Sequence, residues 1–292
     1  MTTESIGRVR AFSSLVKLSH TVFALPFAAS AVVLALARPH VSLTAGRALA
    51  MLAAMVAART AAMAYNRYLD RDIDGQNPRT QSREIPAGIV SPQGALALTL
   101  FASAVFVAAA ATLGTWPLAL ALPVLAVLLG YSWTKRFTWA AHLVLGLALS
   151  LAPGGAWIAM GARPEPAIVA LMLAVLTWVG GFDVLYSLQD ERFDREHGLH
   201  SIPARFGTMN AVILSAAMHV VTVAAMALAG AWLGRGAAYF AGVALVGALL
   251  VYEHALVGRG NLDKIDRAFF DINGYVSCGF FALTAVDAWL AG

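Results

Sequence analysis

The sequence predicts an all-α integral membrane protein: nine transmembrane helices in a bundle around a central cavity, with aspartate-rich motifs at the cytoplasmic end. Three observations carry this expectation. Apolar residues make up 60% of the 292-residue chain and charged residues only 12%, with a mean hydropathy of +0.73. A soluble domain carries roughly twice that charged share and has no single core able to absorb so many apolar side chains. Apolar stretches of spanning length recur along the whole chain, and the charges between them are distributed unequally.

A spanning helix needs about 20 apolar residues. Candidate stretches run near 18–37, 45–66, 94–113, 117–133, 139–160, 167–187, 209–230, 237–257 and 271–291. The fourth is short, and only Lys135-Arg136 separates it from the fifth, so eight or ten helices stay open. The first run is too long for a cleaved signal peptide, and no cleavage site precedes it. No polar linker divides the chain, which reads as one membrane domain over 1–292 with two weakly repeated halves, about 12–136 and 137–292. With nine helices, one side receives the N-terminus and the loops near 67–92, 134–138, 188–207 and 258–268, with 15 of the 20 basic residues. The other side holds Arg38, Arg47, Arg163 and Arg235. Basic loops stay inside, so the first side is cytoplasmic and the membrane is of the bacterial inner or plasma type. These charges flank spans, so the pI near 9.5 points to the bilayer and not to nucleic acid. No obligate protein partner is implied. Cys278 is alone and reads as a small packing residue.

Two acidic clusters lie at the cytoplasmic ends of apolar runs. The first is Asn66-Arg-Tyr-Leu-Asp70-Arg-Asp-Ile-Asp74 and the second Asp183-Val-Leu-Tyr186-Ser-Leu-Gln-Asp190-Glu-Arg-Phe-Asp194. Nine of 16 acidic residues fall in Asp70–Glu84 or Asp183–Glu196. Carboxylates at that density repel one another unless cations lie between them. Oxygen-only ligands suit a hard ion, and Mg²⁺ usually completes its octahedron with substrate phosphates. After each cluster a basic stretch closes in Ile-Pro-Ala, at Ile85-Pro-Ala-Gly88 and Ile202-Pro-Ala-Arg-Phe-Gly207.

Both clusters continue inward as polar stripes. Arg59, Asn66, Asp70 and Asp74 fall at relative positions 0, 7, 11 and 15 of a helix, within a narrow sector at 3.6 residues per turn. Asp183, Tyr186, Asp190 and Asp194 fall at 0, 3, 7 and 11, again one helix face. Either cluster alone reads best as a solvated helix end with i,i+4 ion pairs; two inward-running copies favour a metal site. Arg59 lies about two turns deeper than Asn66, where an arginine faces a cavity or a partner. It either pairs with a buried acid such as Asp183, Glu253 or Asp287, or grips a carboxylate of an acceptor substrate. Arg79, Arg83, Lys135 and Arg136 stand beside the clusters and can meet the charge of a diphosphate. For any one of them, plain positive-inside topology is an adequate reading. Arg192 and Arg195 point off the Asp190/Asp194 face.

These residues resemble the UbiA-type intramembrane prenyltransferases over essentially the whole chain. The family signatures N-D-x-x-D-x-x-x-D and D-x-x-Y-x-x-x-D-x-x-x-D are similar to Asn66/Asp70/Asp74 and Asp183/Tyr186/Asp190/Asp194. Arg67 stands where the first signature has its second-position aspartate. Tyr131 and Lys135 match a Y-x-x-x-K segment, and Arg59 matches the arginine assigned to the acceptor carboxylate in the aromatic-acid branch. Lys17 to Phe27, with His20, Ala58 to Met63 and His200 to Gly207 resemble 4-hydroxybenzoate polyprenyltransferases. A sister group thought to prenylate 1,4-dihydroxy-6-naphthoate, for menaquinone made through futalosine, is equally similar.

The resemblance implies Mg²⁺ held by Asn66, Asp70, Asp74, Asp183, Asp190 and Asp194, with a polyprenyl diphosphate and an aromatic acid as substrates. It also implies Arg59, Arg79, Arg83, Tyr131, Lys135 and Arg136 as substrate-binding groups, with Asp190 as base and Tyr186 orienting. A transporter is the rival of another class, but it would spread ionisable groups through the bilayer depth. A haem or glycerol-lipid acceptor is a rival within the same architecture.

Overall fold

The computed structural model describes residues 23–257 and 271–291. All regular structure among them is helical. The elements are α1 (Leu25–Leu36), α2 (Ala45–Gln76), α3 (Pro92–Leu113), α4 (Thr115–Thr134), α5 (Ala141–Ala159) and α6 (Pro166–Ser187). A 3₁₀ turn (Leu188–Asp190) and the short α7 (Glu191–Glu196) and α8 (Ile202–Phe206) come next. The long α9 (Thr208–Trp232), α10 (Ala237–Val257) and α11 (Asn273–Ala291) complete the chain. Eight of the described helices are long and apolar enough to cross a membrane, and α1 is shorter. The first predicted stretch, 18–37, lies partly outside the described residues, as do Lys17 and His20.

Local chemistry sets the boundaries. Ser91 caps α3 by accepting a hydrogen bond from Gly94 N–H at 3.0 Å, with Pro92 at the first helical position. Pro166 likewise opens α6, there without a side-chain cap. The alanine-rich α2 runs ten residues past the predicted end of its apolar stretch and stops before Asn77-Pro78. A residue preceding proline is biased away from helix, and Asn77 Oδ1 accepts Arg79 N–H at 2.9 Å to form the turn.

The described chain forms two compact units: Gly46–Trp133, and Val22–Ala45 together with Thr134–Gly292. In the first, α2 and α4 are joined by Trp133 Nε1–H donating to the Tyr65 hydroxyl at 3.0 Å. In the second, Trp178 is fully buried, its ring 4.9 Å from Phe27 and 5.1 Å from Phe182. Phe27 stacks in turn on Phe280. Trp178 Nε1–H donates to Asn273 Oδ1 at 2.8 Å, and Asn273 Nδ2–H to Glu253 Oε1 at 3.0 Å. Buried indole and amide groups are thus satisfied across α6, α11 and α10. Gly146 of α5 meets α6 so closely that a Cβ there would collide with the Leu176 carbonyl oxygen. Small residues at such crossings let backbones approach in lipid.

Large apolar side chains face outward along the long helices, Phe101 at 68% and Val251 at 71% exposure among them. Outward apolar faces of this extent suit hydrocarbon as the solvent. Cys278 departs from its expected packing role: it sits on the exposed face of α11.

Candidate active site

In the first unit α2 is continuous from Ala45 to Gln76, so Arg59, Asn66, Asp70 and Asp74 keep the predicted register on one helix. Asp70 is 2% exposed and Asp74 4%. Buried carboxylates require charge-assisted partners, and these are present. Asn66 Nδ2 donates to Asp70 Oδ2 at 3.1 Å and to Ser132 Oγ of α4 at 3.3 Å. Both bonds are made by the amide nitrogen, so the ligating atom of Asn66, its Oδ1, is not used by them. Arg83 Nη1 donates to both oxygens of Asp74, at 2.7 and 2.8 Å. The basic turn after α2 therefore folds back onto the last aspartate of the first cluster.

Arg67, at the position of the departing aspartate, is 3% exposed, and its Nε lies 4.0 Å from Glu84 Oε2. The turn supplies an acid beside the arginine that α2 carries. Sequence reasoning did not single out Glu84; the signal was an acid next to Arg83 in an otherwise basic stretch. The Tyr131 hydroxyl lies within electrostatic range of Asp70, Arg67 and Arg59. The unit thus gathers Arg59, Tyr131, Asn66, Asp70, Asp74 and Arg83. Arg79 stands exposed in the turn.

In the second unit the polar stripe crosses a change of helix type. The α-helix stops at Ser187, tightens into the 3₁₀ turn Leu188–Asp190, and resumes as α7. Three residues at about 120° each, where an α-helix advances about 100°, rotate the resumed helix by roughly 60°. Asp183 and Asp194 therefore stand on successive helical segments, both near His142 of α5. Asp183 Oδ2 lies 2.6 Å from His142 Nδ1 of α5. The Ser201 hydroxyl, Asp190, Lys135 and His142 stand within electrostatic range of Asp194. Arg192 pairs with Glu196 and Arg195 with Glu191, each at 2.8 Å and exposed. This agrees with their expected position off the site face. Tyr186 and Arg136 are half-buried. His142 was missed by sequence reasoning, though it is the only ionisable residue in the stretch 139–160.

The acids considered as partners for Arg59 have their own. Glu253 holds Asn273, Asp183 holds His142, and Asp287 accepts the N–H groups of Gly236 and Tyr239 at 3.1 and 3.2 Å, capping α10. Among the described residues no three His, Cys, Asp or Glu side chains gather closely enough to hold an ion by themselves. The donor chemistry nevertheless fits Mg²⁺. Asn66 and Asp70 in the first unit, and Asp190 and Asp194 in the second, each offer oxygen ligands, and an ion that keeps several positions for water and phosphate needs few from the protein.

Residues 24–277 match the profile of the UbiA prenyltransferase family. The chain belongs to this family. Among its relatives is a 4-hydroxybenzoate octaprenyltransferase of Aeromonas hydrophila, 32% identical over 232 residues, covering 78% of this chain and 79% of that one. A solved UbiA homologue from Aeropyrum pernix K1 superposes with a TM-score of 0.83 at 36% identity, covering 92% of this chain and 98% of its own. A UbiA homologue from Archaeoglobus fulgidus, bound to GPP and Mg²⁺, shares the fold with a TM-score of 0.70 at 19% identity, over 96% and 99% of the two chains. This UbiA protein is an integral membrane prenyltransferase.

Proposed function

We propose that this protein transfers a polyprenyl group from a polyprenyl diphosphate to the ring of an aromatic carboxylate of the 4-hydroxybenzoate type, in quinone biosynthesis. One observation carries the reading: Arg59 and the Asn66–Asp70 pair share one unit, with Tyr131 within range of both. A group suited to a carboxylate and groups suited to a cation thus accompany each other. The names of the relatives and the GPP and Mg²⁺ of the Archaeoglobus homologue support it.

On this reading the acidic clusters serve to bind diphosphate through Mg²⁺. Asn66, Asp70, Asp190 and Asp194 would hold Mg²⁺, and Asp74 would become available to it once Arg83 turned to the donor. Bound Mg²⁺ supplies Lewis-acid stabilisation of the departing diphosphate. Arg79, Arg83, Lys135 and Arg136 orient that diphosphate and take up its growing charge. Arg59 holds the acceptor carboxylate by its planar guanidinium, so that the ring carbon beside the phenol faces the allylic carbon of the donor. The allylic C–O bond breaks with its electron pair going to the diphosphate. The ring carbon then bonds to the allylic cation, and its proton passes to Asp190 Oδ, with Tyr186 orienting. Apolar helices keep water from the cation. The asymmetry of basic loops supports a site facing the cytoplasm.

The test offers membranes containing the protein, Mg²⁺ and a polyprenyl diphosphate to 4-hydroxybenzoate and to 1,4-dihydroxy-6-naphthoate in parallel. Prenylated 4-hydroxybenzoate is expected, and it is lost on chelation with EDTA. Product from the naphthoate alone reassigns the acceptor, and product from neither refutes the reading.

A further inference from the structure

One buried group at the second cluster has no role in the prenyl transfer: His142 of α5, 4% exposed. Ile202 N–H donates to His142 Nε2 at 3.2 Å. That nitrogen must then carry a lone pair, so the ring proton sits on Nδ1 and is donated to Asp183 Oδ2 at 2.6 Å. The close α5–α6 crossing at Gly146 brings the two side chains together.

The bond to Ile202 is informative because Ile202 opens α8. Helices leave their first N–H groups without internal partners, and here each is provided for. Ile202 N–H goes to His142, Pro203 has none, and Ala204 N–H goes to the Ser201 hydroxyl oxygen at 3.3 Å. The Ser201 hydroxyl thus stands fixed beside Asp194 of α7. The adjoining turn is fixed by His200 N–H donating to the Lys135 carbonyl at 2.7 Å and Leu199 N–H to the Asp194 carbonyl at 2.8 Å. A chain of bonds therefore runs from Asp183 through His142 to the Ser201–Ile202 peptide, and the same turn is tied to Asp194 by Leu199 N–H on its carbonyl.

We propose that His142 is a positioning residue, and that Asp183 acts through it to set the Ser201 turn and hence Asp194, instead of serving as a metal ligand. The inference rests on the prenyltransferase reading for the ion that Asp194 holds. Short buried hydrogen bonds of this kind orient the groups that touch a metal, and their loss costs about 10- to 100-fold in affinity.

The two roles for Asp183 predict opposite orders of damage. Asp183→Asn keeps an oxygen for His142 Nδ1–H but loses the charge a metal would need. His142→Leu leaves the carboxylate and breaks both bonds. Two measurements on the full chain in detergent separate them. The first is the rate of trypsin cleavage at Arg192, Arg195 and Arg205 without metal. The second is Mn²⁺ affinity with inorganic pyrophosphate, read by electron paramagnetic resonance. His142→Leu is expected to speed cleavage and to weaken Mn²⁺ binding by about tenfold, while Asp183→Asn moves each less than about threefold. The reverse order for Mn²⁺, or unchanged cleavage in His142→Leu, overturns the proposal. Should His142→Leu fail to fold, Ser201→Ala removes the hydroxyl that caps α8 beside Asp194 without touching the α5–α6 crossing. It is expected to weaken Mn²⁺ binding about fivefold, and unchanged affinity overturns the proposal. Proteolysis needs no substrate, so its outcome stands even if the wild-type protein prenylates neither acceptor.

Discussion

The contact between Arg83 and Asp74 gives the sharpest quantitative expectation. The Asp74 side chain is 5% exposed and that of Arg83 23%. Arg83 reaches both carboxylate oxygens with Nη1 alone, so the two-nitrogen fork of the strongest arginine–carboxylate pairs is absent. Charged hydrogen bonds contribute about 1.5–3 kcal/mol. Solvent at Arg83 places this pair toward the lower part of that range, at about 2 kcal/mol of coupling. A cycle of Asp74→Asn, Arg83→Gln and the double variant in thermal unfolding is expected to show that coupling, roughly 3 °C in Tm for a chain of this size. Repeating the cycle with saturating Mg²⁺ and inorganic pyrophosphate tests the proposed turning of Arg83 to the donor, and the coupling is expected to fall below about 1 kcal/mol. Additive single changes in the absence of ligand refute the structural argument. Coupling that persists undiminished with ligand refutes the movement of Arg83.

The same geometry sets three further outcomes. Asp70→Ala or Asp190→Ala is expected to lower prenyl transfer by about 100-fold or more at near-normal protein level in membranes; retained turnover in both removes the metal reading. Arg59→Ala is expected to raise the acceptor KM about tenfold or more, with the donor KM little changed. An unmoved acceptor KM assigns the arginine to another task. Gly146→Leu forces α5 from the α6 backbone and is expected to cost about 3 kcal/mol or more, seen as a large drop in Tm. A stable variant would show that the α5–α6 approach is not needed.

The sequence by itself determined the features that depend on composition and regular spacing. Apolar runs of spanning length need only hydropathy to be recognised, and the long helices from α2 to α11 lie where those runs lie. The first polar stripe was legible for the same reason, because one unbroken helix converts spacing into direction. Only the tertiary structure decided the rest. The 3₁₀ turn at Leu188–Asp190 rotates the second cluster, and no residue there breaks a helix as proline would. The pairing of Glu84 with Arg67, of Arg83 with Asp74 and of His142 with Asp183 joins residues on separate elements. A one-dimensional pattern fixes which face of a helix is polar. Which partner satisfies each buried charge depends on the closeness of backbones, and that distance is set by packing.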